Sequence, residues 1–274
     1  MKVRQMSLKS VGRSSIRTRF SVAVVGVLAV SALAGCGTTG NTGLSQVRVL
    51  NAYIAAPGTD GSLNVNTSAG SLTGGLNLSP GQFAFGGAYN AITSGPFTVS
   101  ATGPATTTPI TFLSSVTLTG NNTYYTVATA GVAGNTGAMA PQAFAIPTYS
   151  AAGMPIASTN VAVRVVNLSG NTNPIGLYTN SSGVLAPLAT AVSAVPFGYN
   201  STTNAYITLT PAQMTGLSIV DSTAPATALS VSASSNLIGV TFTGGQAYTL
   251  YIYGQSSNSV TPLTALFVLD NASP

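Results

Sequence analysis

Alternation of apolar and polar residues is the main pattern of the chain beyond about residue 45. Alternation of this kind places every second side chain on one face of a β-strand. No window of about 11 residues keeps the helical period of about 3.6, and Gly, Pro, Asn and Ser clusters separate the segments. The chain is therefore predicted to be all-β, with a single helical turn at 210–216. The clearest predicted strands are 46–52, 62–67, 97–102, 115–119 and 124–129.

The strand pattern occurs twice along the chain. The sequence VRVLN at 47–51 returns as VRVVN at 163–167, and YTV at 125–127 returns as YTL at 248–250. Motifs that recur in the same order indicate a duplicated unit. Each copy has about 100 residues, the size of an immunoglobulin-like sandwich with about seven strands in two sheets. We therefore expect two tandem immunoglobulin-like β-sandwich domains.

Changes in composition set the predicted domain boundaries. A small, polar stretch (GTTGNTGL) precedes the first strand and is typical of a flexible tether. The stretch between the copies contains Pro, Gly and Ser without alternation, which predicts a linker with modest interdomain freedom. The predicted organisation is a lipoprotein signal peptide at 1–35, a lipidated tether at 36–44, a first β-sandwich at 45–147, a linker at 148–160 and a second β-sandwich at 161–271.

The N-terminus has the features of a secretory leader. Six of the eight basic residues fall in the first twenty positions, and a mostly apolar run follows at 21–32. This run is too short for a spanning helix, which needs about 20 residues, but it suits the core of a signal peptide. The basic segment is long, so translation starts at either Met1 or Met6. Both starts leave the predicted function unchanged.

The residues Leu33, Ala34, Gly35 and Cys36 follow the apolar run and resemble the bacterial lipoprotein box. The resemblance implies that a dedicated peptidase cuts before Cys36, whose sulfur carries a diacylglycerol. Two or three lipid chains give lasting anchorage where one holds only marginally, so the membrane is a predicted partner. The residue after the cysteine is glycine, not the aspartate of inner-membrane retention, which implies the outer membrane of a Gram-negative bacterium. A plain secretory leader with a coincidental cysteine is the alternative.

Charged residues are scarce beyond the leader. Only Arg48, Arg164, Asp60, Asp221 and Asp270 remain, so the net charge of +5 belongs to the leader. A basic patch for nucleic acid is thereby excluded from the body of the chain. A neutral surface of hydroxyl and amide groups offers little charge repulsion against self-association or adsorption to glycans.

No catalytic residue, cofactor or metal site is predicted. Three aspartates spread over two copies do not form an acid–base pair, and no His or Lys follows the leader to activate a nucleophile. Zinc usually requires His or Cys, and calcium requires several carboxylates in one loop. Asp60 precedes a glycine and is interpreted as a turn residue. An enzyme is the third possibility and would depend on Asp60 or Asp221.

The arginines and tyrosines have competing interpretations. Arg48 and Arg164 occupy the same position in the two copies, and the favoured role is to protect an opening edge strand while the stem covers apolar surface. Ligand binding is the less favoured role. Tyr251 and Tyr253 fall on one face of a strand, and a tyrosine ring can stack on a sugar. Most of the tyrosines are expected to be core or corner residues, and Tyr251 and Tyr253 are the candidate ligand platform.

Three short motifs resemble the bacterial family called domain of unknown function 4397. They are VRVVNLS at 163–169, FGY at 197–199 and GQAYTL at 245–250, and the resemblance extends over about 45–271. It implies secreted or lipid-anchored β-sandwich modules, often in tandem, without an established activity. Members usually carry a Ser-Pro-Asp-Ala-Pro stretch and an Asp-Val-Tyr after the opening strand. Here the first copy keeps only Asp60 and the second keeps neither acid, so no ligand role is transferred from those acids.

The sequence therefore predicts a non-catalytic, lipid-anchored protein of the cell envelope with a structural or adhesive role. Its predicted partners are the membrane, through lipid on Cys36, and either an envelope protein or a glycan, with self-association also possible. The alternative is a carbohydrate-binding surface lipoprotein that uses exposed tyrosines of the second copy. Periplasmic and surface-exposed orientations both remain open.

Replacement of the predicted lipid-bearing sulfur tests the anchor. Cys36→Ser removes the acceptor of the diacylglycerol, so the chain should remain unacylated and uncut by the lipoprotein peptidase. Cells fed a palmitate analogue report acylation, and the mass of the product reports cleavage. The nearby variant Thr38→Ser should be labelled and cut normally. Label on the Cys36→Ser protein would contradict the predicted anchor.

Overall fold

The computed structural model describes residues 43–56, 61–68, 70–71, 77–103, 109–112, 116–120, 123–148, 155–170, 173–232, 240–259 and 261–270. Leu33, Ala34, Gly35, Cys36 and Asp60 lie outside the described residues. Within these ranges the chain forms β-strands and four short 3₁₀ helices, with no α-helix. The all-β prediction is confirmed. No helix in the described ranges has the length and apolarity needed to cross a membrane.

The strand bounds agree with the alternating segments of the sequence. The first ten strands are β1 (Leu44–Ile54), β2 (Asn64–Thr67), β3 (Gly70–Ser71), β4 (Asn90–Thr93), β5 (Gly95–Phe97), β6 (Val99–Thr102), β7 (Pro109–Thr111), β8 (Val116–Leu118), β9 (Thr123–Val132) and β10 (Gln142–Pro147). The remaining strands are β11 (Val161–Ser169), β12 (Ile175–Ser181), β13 (Val184–Pro187), β14 (Ile207–Leu209), β15 (Leu217–Asp221), β16 (Ala247–Gly254) and β17 (Thr264–Leu269).

The 3₁₀ helices are short connectors between strands. A capping box between Thr210 and Gln213 starts the last of them, because each side chain satisfies a backbone group of the first turn. This turn confirms the predicted single helical turn at 210–216. The four helices are Ala84–Gly87, Gly137–Met139, Thr190–Val192 and Pro211–Met214.

Two four-stranded sheets share the same arrangement. Sheet I has the order β10-β9-β1-β4, and sheet II has the corresponding order β17-β16-β11-β14. In each sheet the opening strand runs parallel to a long late strand and antiparallel to a short one. The parallel registers place Arg48 opposite Thr126 and Arg164 opposite Thr249. The two arginines therefore occupy corresponding positions in the two sheets.

One face of each four-stranded sheet packs against smaller sheets. On sheet I, Val47, Val49 and Val127 share a core with Val65 and Val99 of the sheet β3-β2-β6-β7. On sheet II, a second core joins residues of β11 and β16 to residues of the sheet β13-β12-β15, and its members include Val163, Val165, Leu250, Ile175, Leu177 and Ile219. Alternation along β1 and β11 therefore gives each strand one apolar face for a local core.

The opposite faces of sheets I and II share one core, which we call the shared core. Its buried members come from both sheets, and the described residues between 43 and 270 belong to one compact unit. A strand buried on both faces has few solvent positions, which explains why nearly every residue of β1 and β11 is buried. The buried members are Leu50, Ala52, Ala128, Ala130, Ile146, Val166, Leu168, Tyr251 and Tyr253.

The asparagine of each repeated motif ties its opening strand to the following loop. Asn51 Nδ2 donates to the carbonyl oxygens of Gly61 at 3.0 Å and Leu78 at 2.6 Å. Asn167 Nδ2 donates to the carbonyl oxygen of Val195 at 3.0 Å. Buried amides need such partners, so each asparagine fixes the path of a loop across its sheet.

The edge-strand interpretation of Arg48 and Arg164 is wrong. β1 lies between β9 and β4, and β11 lies between β14 and β16, so both are interior strands. Arg48 is 6% exposed and Arg164 is 2% exposed. The polar positions of an alternating strand usually face solvent, but here they face a second sheet. Alternation alone does not distinguish these two cases.

Candidate functional site

Three of the four charged residues in the described ranges meet between sheets I and II. Arg48 Nη2 lies 3.6 Å from Asp270 Oδ1, and Arg164 Nη2 lies 3.6 Å from Asp270 Oδ2. The arginine side chains are 7% and 3% exposed, and the aspartate side chain is fully buried. We call these three residues the charge cluster. One carboxylate thus pairs with guanidinium groups from two sheets.

The neighbouring strands set the orientation of both arginines. Arg48 Nε donates to Thr126 Oγ1 at 2.9 Å, and Arg164 Nε donates to Thr249 Oγ1 at 2.7 Å. Each threonine is the residue directly opposite its arginine in a parallel ladder. The register of the sheet therefore determines where each guanidinium points.

Asp270 is held directly after the last strand of sheet II. Its backbone N–H donates to the carbonyl oxygen of Ala247 at 2.9 Å. Its Oδ2 accepts hydrogen bonds from the Thr249 hydroxyl and, at 2.6 Å, from the Tyr206 hydroxyl. Burial raises the pKa of Tyr206, and the nearby negative charge of Asp270 raises it further. Tyr206 therefore remains a neutral donor to the carboxylate.

Aromatic rings surround both guanidinium groups. The Arg48 guanidinium carbon lies 4.7 Å from the ring centroids of Phe83 and Tyr89, and that of Arg164 lies 4.5 Å from the ring centroid of Tyr206. The negative face of an aromatic ring attracts a cation at this range. Two arginines and one aspartate leave a net charge of +1, and the rings compensate part of it.

The electrostatics keep Arg164 charged despite its burial. Burial opposes the charged form, but the carboxylate of Asp270 and the surrounding tyrosines raise the pKa of Arg164 above its ordinary value. A permanently charged arginine inside the protein requires a permanent partner. Asp270 is that partner for both sheets.

The structure places the predicted ligand platform in the interior. Tyr251 and Tyr253 share a face of β16, in agreement with the alternation, but that face belongs to the shared core. Tyr251 is fully buried and Tyr253 is 9% exposed. Burial raises the pKa of Tyr251 to about 12. Neither ring offers the open face that sugar stacking requires, because sheet I covers the side that the sequence pattern assigned to solvent.

Asp221 stands apart from the charge cluster. Its carboxylate accepts hydrogen bonds from Asn173 Nδ2 at 2.8 Å and from the Thr223 backbone N–H at 2.9 Å and hydroxyl at 2.7 Å. These hydrogen bonds, first that of Asn173, lower its pKa. Within the described ranges, no three residues of the metal-ligating types His, Cys, Asp and Glu come together. Asp221 therefore has the contacts of a residue that stabilises a turn.

A shallow groove on the surface has an aromatic wall that the sequence did not indicate. Phe144 of β10 and Phe197 meet edge to face, with ring centroids 5.8 Å apart, and Tyr199 lies beside them. Gly198 has a φ of 97°, and a Cβ there would come within 3.0 Å of the Phe144 ring, so glycine lets the two segments approach. The polar lining consists of Gln142, Asn200, Thr203 and Asn204.

Sequence reasoning did not identify Asp270 or the aromatic groove as sites. The signal for Asp270 is the presence of one arginine in each corresponding apolar strand, because a buried cation needs a counter-charge. The groove combines Phe144 with the 197–199 segment, and their pairing depends on the packing of sheets I and II. Neither family models nor curated proteins gave a match to this chain.

Removal of the shared carboxylate tests the charge cluster. Asp270→Asn leaves Arg48 and Arg164 buried without a counter-charge, so it should lower the free energy of unfolding by about 3–5 kcal/mol. Urea unfolding followed by circular dichroism measures the change. The control Asp221→Asn alters an aspartate outside the cluster and keeps an amide oxygen that can accept the Thr223 hydrogen bonds, so its effect should be only about 1 kcal/mol. Equal stability of the two variants would contradict the structural role of Asp270.

Proposed function

We propose that this chain is a non-catalytic, lipid-anchored protein of a bacterial cell envelope, in which two immunoglobulin-like β-sandwich modules have a structural or adhesive role. The main support is the position of the charged residues. Arg48, Arg164 and Asp270 are buried together, where they join sheets I and II instead of facing a substrate. Their structural use leaves them unavailable for acid–base chemistry at a surface.

Rigid connection of the two sheets suits a spacer or an adhesive stalk. The shared core contains residues from β1 and β9 on one side and from β11 and β16 on the other. A large apolar interface opposes independent motion of the parts that it joins. Two modules connected in this way would move as one body at the end of the tether.

Membrane attachment is the second part of the proposal. Cys36, with Leu33, Ala34 and Gly35 before it, supplies the proposed lipid attachment, and the outer membrane is the proposed location. A tether at 36–44 would separate the lipid from the first module. Membrane attachment concentrates the chain in two dimensions, which favours contacts with neighbouring envelope components.

The neutral exterior supports a function in which the chain associates with other molecules. Asp221 is the one charged residue of the described ranges that lies outside the buried cluster. Without like-charge repulsion, a surface of amide and hydroxyl groups tolerates close approach of a second surface. Val184, on β13, is 68% exposed, and Leu269, at the end of β17, is 50% exposed. These two positions lie on different sheets of the proposed second module.

Photo-crosslinking in intact cells tests the structural or adhesive role. A photoreactive residue replaces Val184 in one strain and Leu269 in another, because amine cross-linkers would find no lysine beyond the leader. We expect a stoichiometric protein adduct or a ladder of self-adducts from at least one position. The same strain without irradiation is the control. Free monomer alone at both positions would contradict the proposed role.

Carbohydrate binding is the second candidate function, and the aromatic groove favours it. Half-buried Phe144, Phe197 and Tyr199 border amide side chains, a combination that suits the apolar face and hydroxyl groups of a sugar. This location replaces Tyr251 and Tyr253 as the candidate platform. The groove draws residues from both modules, so binding there would depend on their packing.

Affinity electrophoresis through an envelope polysaccharide tests the second candidate. The affinity for the polysaccharide, measured from the retardation of the soluble chain, should fall about tenfold in Phe197→Ala. Loss of one aromatic contact costs about 1.4 kcal/mol. Val184→Ala removes an exposed apolar side chain outside the groove and should leave retardation unchanged. Absence of retardation for the unmodified chain would eliminate this candidate.

A further inference from the structure

The charge cluster has two corresponding halves. The backbone N–H of Thr148 donates to the carbonyl oxygen of Tyr124 at 2.8 Å, and that of Asp270 donates to the carbonyl oxygen of Ala247 at 2.9 Å. Thr148 directly follows β10, and Asp270 directly follows β17, so each stands at the end of the outer strand of its sheet. Thr148 therefore occupies in sheet I the position that the shared acid occupies in sheet II.

The sheet II half supplies a complete set of groups for a carboxylate. The hydroxyls of Tyr206 and Thr249 donate to Asp270, and Arg164 Nη2 faces it. The arginine is itself fixed by its Nε hydrogen bond to the same threonine. A tyrosine, a threonine and an arginine thus converge on one carboxylate.

The sheet I half also contains an arginine, a threonine and a tyrosine, but Thr148 stands where sheet II has Asp270. Arg48 bonds Thr126 through its Nε, and the Arg48 guanidinium lies 4.7 Å from the Tyr89 ring centroid. Thr148 donates to the carbonyl oxygen of Tyr124 through its backbone N–H at 2.8 Å and its hydroxyl at 3.2 Å, and the Tyr124 ring packs against that of Tyr89. The residue at the centre, Thr148, carries no charge. The sheet I half of the charge cluster, which contains Arg48, therefore lacks an acidic residue of its own.

Unsatisfied donors concentrate at this location. Arg48 Nη2 and Tyr89 Oη are buried without a hydrogen-bond partner among the described residues. Arg164 Nη2 and Tyr251 Oη are also unsatisfied, against one unsatisfied acceptor, Asp270 Oδ1. A buried donor without a partner destabilises the folded state, and more so when it is charged. The excess of donors and the net charge of +1 both favour one additional negatively charged acceptor.

We propose that a small monovalent anion, of the halide or free carboxylate class, binds beside Arg48 on the sheet I side of the charge cluster. Arg48 Nη2 and the Tyr89 hydroxyl would donate to it, with Thr148 at its edge. Tyr89 and Tyr124 pack edge to face with centroids 5.0 Å apart and form one wall. Tyr89, Tyr124 and Thr148 are half-buried, so the proposed site lies close to the surface.

Thermal unfolding of the mature lipoprotein in detergent tests the proposal. The Tm is measured at constant ionic strength while sodium chloride or sodium formate replaces sodium methanesulfonate, whose anion is larger. A ligand that binds only the folded state raises the Tm in a saturable manner. We expect the Tm to rise by about 2–4 °C, which is the usual consequence of a modest increase in the free energy of unfolding for a chain of this size. An unchanged Tm in both salts would overturn the proposal.

A matched pair of variants assigns the effect to the site. Thr148→Asp supplies a carboxylate in the position that corresponds to Asp270, so it should raise the Tm without added anion and abolish the chloride and formate effect. Thr148→Asn has nearly the same shape without the charge and should keep the anion effect. An equal anion effect in the two variants would overturn the site. If Thr148→Asp does not fold, Arg48→Met takes its place in the comparison. The rise in Tm with chloride or formate should then be lost in Arg48→Met and kept in Thr148→Asn.

Discussion

The pairing of two buried guanidinium groups with one carboxylate is the interaction on which the arrangement of the two sheets depends. Arg48 and Arg164 arise from different sheets, and the charge of each would be strongly unfavourable in the interior without Asp270. Apolar side chains fix an alignment through the fit of their shapes, whereas paired buried charges also require their partners at defined positions. The carboxylate requires both arginines at fixed positions, and the ladder partners Thr126 and Thr249 orient them. The charge cluster therefore selects one alignment of a shared core that is otherwise apolar.

This internal use of charge also determines the exterior. Within the described ranges, Asp221 alone keeps a charge outside the cluster, and it is engaged in a turn. The resulting surface has little long-range field to steer a charged substrate or to repel another copy of the chain. Such a surface fits association with neutral partners, which is the basis of the proposed structural or adhesive role. A sugar is the neutral partner that suits the aromatic groove beside Phe197.

The sequence was sufficient to predict strands but not the environment of their faces. Alternation identified β1 and β9, and the Thr210 capping box was visible as a short turn, because both signals are local. The roles of Arg48 and Tyr253 were misjudged for a common reason. A polar or aromatic residue on the second face of a strand has the same pattern whether that face meets water or another sheet. Asp270 follows the last strand, and its pairing with Arg48 is determined only when sheets I and II pack together.

Hydrogen exchange under increasing urea, read by mass spectrometry, tests most directly whether the charge cluster and the shared core make the two sheets one cooperative unit. Amides of β1 in sheet I and of β11 in sheet II should show the same free energy of opening and lose protection at the same urea concentration. Loss of protection in one sheet, while the other sheet remains fully protected, would contradict this account.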